Sequence, residues 1–76
     1  MKTYVTFGPT HVTLLDGKTF DQDCVSIVYA ATEAQARNLI TTFFSTRYEN
    51  IFSVEEWDLD NIRLYPRGYI DANVLP

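Results

Sequence analysis

His11 and Cys24 are the single histidine and the single cysteine of this 76-residue chain. Together they are the residue types a nucleophilic catalyst would use. Such a pair needs the thiol within hydrogen-bond reach of the base and a third group to orient that base. Cys24, however, opens the run Cys24 to Ala31, whose two alternating faces are both largely apolar. A thiol in such surroundings reads as inert packing. His11 follows the Gly8-Pro9 stop and reads as an exposed loop histidine. Three scattered glycines cannot build a phosphate-cradling loop, and no nucleophile elbow occurs. The acid pairs Asp21/Asp23 and Asp58/Asp60 can each point one way along an extended segment. Calcium takes six to eight oxygen ligands, and neither pair is followed by the Gly and Glu of an EF-hand loop. Clusters of Cys and His suited to zinc are missing. The sequence therefore predicts no catalytic residue, no cofactor and no metal ligand, and a non-enzymatic protein.

Surface contacts are the other source of function. Glu49, Glu55, Glu56, Asp58 and Asp60 fall in a stretch with no basic residue from Tyr48 to Ile62. Such charge guards an edge strand against unwanted pairing. It equally suits a negative surface that docks on a basic groove of a nucleic-acid-handling protein, with steering that weakens as salt rises. The aromatic residues offer a second surface, because one helix covers one side of a sheet. With Val5, Phe7, Val25, Ile27, Phe52 and Val54 toward the helix, alternation sends Tyr4, Val28, Ile51 and Trp57 to the other side, and Tyr65 can join them. An open aromatic face implies a partner or a homodimer; the alternative is that the loop from Gly8 to Asp23 or the C-terminal tail folds over it. Asn38, Thr41, Thr42 and Ser45 form a third, uncharged face on the outer side of the helix.

Composition narrows the partners. The net charge is −4, and the six basic residues are scattered. Phosphate-backbone binding needs clustered Lys and Arg that release counterions, so direct nucleic-acid binding is not expected. A lone cysteine permits no intrachain disulfide, whereas small secreted domains are usually stapled. Met1-Lys2-Thr3-Tyr4 leads straight into a strand pattern, without the basic and apolar regions of a secretory leader. No apolar run approaches the roughly 20 residues needed to span a bilayer. The expectation is a soluble protein of the cytoplasm.

The elements that position these residues can be read along the chain. Thr3 to Phe7 is a β-branched and aromatic strand, stopped by Gly8-Pro9. His11 to Leu15 reads as a short strand or a loop, and Asp16-Gly17 is a hairpin signal. Lys18 to Asp23 extends the next strand or forms a loop. Cys24 to Ala31 is the central strand. Thr32 is the helix N-cap, with Gln35 completing a capping box and Glu33 in the first turn. Ala36, Leu39, Ile40 and Phe43 form one apolar stripe with Phe44 at its edge, and the helix ends between Ser45 and Asn50. Ile51 to Trp57 reads as a third strand and Ile62 to Tyr65 as a short fourth strand at an edge. Tyr65-Pro66-Arg67-Gly68 has the pattern of a type I turn, and 71–76 reads as a frayed tail. The expected fold is α+β, a single small domain over 1–76 of ββαβ(β) order. One helix packs on one face of a three- to four-stranded, mostly antiparallel sheet.

Tyr4-Val5-Thr6-Phe7-Gly8, Asp16-Gly17 ahead of a strand, Glu33-Ala34-Gln35-Ala36-Arg37 and Tyr65-Pro66-Arg67-Gly68 together resemble small accessory proteins of tailed bacteriophages. The polar segment Lys18 to Asp23 and the Thr-rich helix depart from that pattern. The resemblance implies no catalytic residue and no cofactor. It implies a small acidic phage protein, working in the cytoplasm of a bacterial host, that binds and inhibits a host protein by occlusion; a CRISPR complex or a nuclease is the sharper form. On this reading Glu55, Glu56, Asp58 and Asp60 steer association, and Tyr4, Trp57 and Tyr65 are the buried anchors of the contact. The alternative is a self-associating structural or scaffold protein, a homodimer through the open sheet face or an edge strand.

Overall fold

The β-branched and aromatic residues of the N-terminal segment form strand β1, Lys2–Thr6. In the computed structural model, which describes residues 1–72, β1 is flanked on both sides. A hairpin follows it, β2 (Thr13–Leu15) and β3 (Lys18–Phe20), paired only with each other. The hairpin turns on Asp16 (φ 51°) and Gly17 (φ 76°). Positive φ at both central positions is the type I′ geometry that matches strand twist, and Gly meets it without steric cost. Strand β4 (Cys24–Tyr29) is central and almost wholly buried.

Helix α1 spans Glu33–Phe44. The Thr32 Oγ1 accepts from the Gln35 N–H at 3.1 Å, and the Gln35 Oε1 accepts from the Ala31 N–H at 2.7 Å. The capping box is thus built, with its returning arm one residue before the cap. Ala36, Ile40 and Phe44 are buried, and Leu39 and Phe43 are half-buried beside them. The chain then returns as β5 (Asn50–Ser53) and enters a 3-10 helix over Leu59–Leu64. It closes with β6 (Gly68–Asp71).

The main sheet has the order β5-β1-β4-β6. Strand β1 is antiparallel to β4 and to β5, while β6 is parallel to β4. The α+β expectation of one helix on a mostly antiparallel sheet holds, with three points corrected. The stretch Ile62 to Tyr65 is not an edge strand: the 3-10 helix occupies it, and the Asp58 carboxylate starts that helix by accepting from the Asp60 N–H. The third strand stops at Ser53, where a turn begins, so Trp57 lies outside the sheet. Asp71 and Ala72, expected in a frayed tail, are held: Asp71 ends β6, and the N–H of buried Ala72 donates to the Ile27 carbonyl. The remainder of that expected tail, 73–76, lies outside the described residues. The Tyr65-Pro66-Arg67-Gly68 turn forms as expected, the Gly68 N–H donating to the Tyr65 carbonyl at 3.0 Å.

Both faces of the sheet are covered. On one face Val5, Cys24 and Val28 pack under Ile40 and Phe44 of α1. The hairpin adds Phe20, which meets Phe7 and Phe44 at ring-centroid distances of 5.9 and 5.1 Å. On the other face Tyr4, Val25, Ile27 and Trp57 form a second cluster, flanked by Phe52, Ile62 and Tyr65. The register explains this division. Tyr4 lies opposite Ile27 and Phe52, and Val5 lies opposite Ser26 and Ile51. Directly opposed residues share a face, so Val25, Ile27 and Phe52 join Tyr4, not the helix side as expected. Val28 and Ile51 join Val5 instead, and Val54 is exposed.

Candidate functional site

Trp57 decides what the aromatic face is for. Its ring stacks on Tyr4 at 5.3 Å with a 17° interplanar angle. Phe52 lies 5.3 Å away and Tyr65 6.2 Å away. The indole Nε1–H donates to the Tyr69 hydroxyl at 2.9 Å. Tyr4 and Trp57 retain only 4% and 6% of their exposure, so neither is an open contact anchor. The segment that follows β5 folds back over the sheet and carries the indole inward. The covered face also removes the surface on which an open-face homodimer was expected to form. Tyr65 is half-buried at the margin of the same cluster.

The same segment faces outward with different chemistry. Glu55, Glu56, Asp58 and Asp60 are all exposed. Exposed apolar residues lie among them: Val54 at 51%, Leu59 at 66% and Leu64 at 74%. Of the ten acidic residues, ion pairs among the described residues engage Glu33 (with Arg37, 3.3 Å) and Asp21 (with Arg67, 3.1 Å), and none of the four in this segment. Two of the four have local backbone roles. The Glu56 Oε1 accepts from the Ser53 N–H at 2.9 Å, and the Glu56 N–H donates to the Ser53 Oγ at 3.2 Å. The Ser53 N–H first, and then the Ser53 hydroxyl, hold the Glu56 carboxyl below its usual range, with Arg37 adding a smaller pull. Asp58 caps the 3-10 helix. Glu55 and Asp60 accept no hydrogen bond and form no ion pair within the described residues.

Glu56 also bears on the β5 edge. The Ser53 N–H goes to Glu56, and the Ser53 carbonyl accepts from the Trp57 N–H at 3.0 Å. Strand alternation then leaves Ile51 as the residue of β5 whose backbone groups point to the open side. A second chain has little ladder to extend there.

A cavity of about 320 Å³ opens between α1 and the β5 end of the sheet. Buried Ala36 and Ile40, with half-buried Ile51, give it an apolar floor, and Thr3 and Ser53 add polar groups to its lining. Exposed Glu33, Glu55, Glu56 and Arg37 stand around it. Two of these, Glu55 and Glu56, belong to the acidic segment, so cavity and segment are continuous. Neither the cavity nor its margin was legible in the sequence, because it depends on how α1 is set over the sheet.

Cys24 is fully buried, its thiol donates to the Asp21 carbonyl at 3.6 Å, and burial raises its pKa above the usual thiol value. His11 is half-exposed beside the hairpin. Among the described residues no three His, Cys, Asp or Glu side chains are grouped to hold a metal ion. No described helix is long and apolar enough to cross a membrane. No family model, curated protein or solved structure matches the chain.

Proposed function

We propose that this chain is a non-enzymatic binding protein that occludes a basic surface of a protein partner. Its contact surface is the outer side of the segment 54–64. The observation that carries this reading is a run of exposed, unpaired carboxylates on a segment pinned to the fold from beneath by Trp57 and Ile62. Pinning removes much of the ordering cost that a loose acidic loop would meet on binding. Glu55, Glu56, Asp58 and Asp60 steer the encounter, and rim charges of this kind act mainly on association rate and salt dependence. Val54, Leu59 and Leu64 take over as apolar anchors the role first expected of Tyr4 and Trp57. The resemblance to phage accessory proteins supports a host protein as partner and the bacterial cytoplasm as the place of action. A nucleic-acid-handling defence complex, of the CRISPR or nuclease kind, has the basic surface this charge would match.

The test is capture from host lysate with the wild-type chain and with a Glu55→Lys/Asp60→Lys variant, which spares both capping carboxylates. The reading expects a stoichiometric protein partner that is lost with the variant and weakened by salt. A complex indifferent to both, or no stoichiometric partner, contradicts it.

A further inference from the structure

The cavity between α1 and β5 has a composition of its own. Ala36, Ile40 and Ile51, with Met1, give it an apolar floor, Thr3 and Ser53 add polar groups, and three carboxylates, Glu33, Glu55 and Glu56, stand at its margin beside the Arg37 guanidinium. A partly apolar floor with an acidic margin is complementary to a side chain that has an apolar stem and a cationic head. Lys and Arg are built in this way, and they bury the stem while the charge stays near water. We propose that this groove receives an arginine or lysine side chain from a basic segment of the protein partner. The inference rests on the docking reading above and assigns that partner's charge to a defined place.

The groups at the margin differ in readiness. Glu56 already serves the Ser53 N–H. Glu33 holds Arg37, but that pair is 72% and 63% exposed, and pairs so exposed contribute little. Arg37 can therefore swing aside without much loss. Glu55 has no partner within the described residues and is the carboxylate free to meet an incoming cation. A guanidinium can engage a carboxylate through two parallel N–H donors, which favours arginine over lysine at Glu55. The volume, about 320 Å³, lies near the lower end of the roughly 300–1,000 Å³ typical of ligand pockets. It suits one long side chain better than a larger ligand.

The experiment is a titration of the isotope-labelled full chain, followed by amide NMR shifts, with an end-blocked five-residue peptide of two arginines among glycines. A peptide with norleucine in place of both arginines is the control. The expected result is saturable shifts at Ala36, Arg37, Ile40, Ile51 and Ser53, with no response to the norleucine peptide. Glu55→Lys should weaken binding about tenfold, the equivalent of one charge-assisted contact. Glu55→Gln should weaken it in the same direction, and Asp60→Lys should leave it unchanged. Shifts centred on Asp58 to Leu64 would overturn the groove while leaving the acidic segment as the docking surface. Absence of saturable shifts, or an equal response to norleucine, would overturn the groove as a cation site; the lysate capture tests the wider reading separately.

Discussion

Ser26 is fully buried on β4, facing the helix side of the core, and its hydroxyl has no hydrogen-bond partner among the described residues. It lies opposite Val5 on one neighbour and Ile70 on the other, so apolar groups surround it. A buried hydroxyl without a partner retains its desolvation cost. Ser26→Ala should therefore be neutral or stabilise the fold by up to about 1 kcal/mol, read from the urea midpoint. A clear loss of stability would mean that the hydroxyl is bonded after all. Cys24, two residues earlier on the same face, was legible as packing because it opens the run Cys24 to Ala31, whose two faces are both largely apolar. The roles of Tyr4 and Trp57 were not legible at this scale. A tyrosine in a strand looks the same in sequence whether its ring meets solvent, a partner or an indole fifty-three positions away.

Elements with a local chemical signature were readable, and those defined by distant contacts were not. Thr32 and Gln35 announce the helix start because their hydrogen bonds close within four residues. Asp16-Gly17 announces its hairpin because the turn conformation is set by those two residues alone. Ile62 to Tyr65, expected as a strand, is only a four-residue window, too short to separate a strand from a turn of helix. The better signal was Asp58, a helix-starting residue whose carboxylate caps the Asp60 N–H. The turn after β5 depends likewise on Glu56, and it carries a pH dependence. Glu56 is lowered from its ordinary value of 4.5, first by the Ser53 N–H. A carboxyl depressed in the folded state contributes stability above 4.5 that is lost as pH falls through its lower folded value. The Ser53 amide proton shift should therefore titrate with a midpoint below 4.5, and Glu56→Gln should abolish that step. An unchanged titration in the variant would assign the shift to another group.

At the scale of the molecule, register divides the apolar residues between two small cores. Shifting a pairing by one residue moves every side chain to the opposite face, and nothing in the sequence states that Tyr4 opposes Ile27 and Phe52. That is why β1, β4 and the start of β5 were legible while the assignment of faces was not, and why the aromatic side was expected to be open. The segment after β5 closes it, and the acids and leucines on the outside of that segment are what remains for a partner. The central claim is thus that Trp57 belongs to the interior of the free protein. Trp57 is the sole tryptophan, so its emission reports this directly. In the isolated chain the native fluorescence should be blue-shifted and protected from acrylamide and iodide until the protein unfolds. Emission as red-shifted and as readily quenched in the native state as in the unfolded one would contradict it.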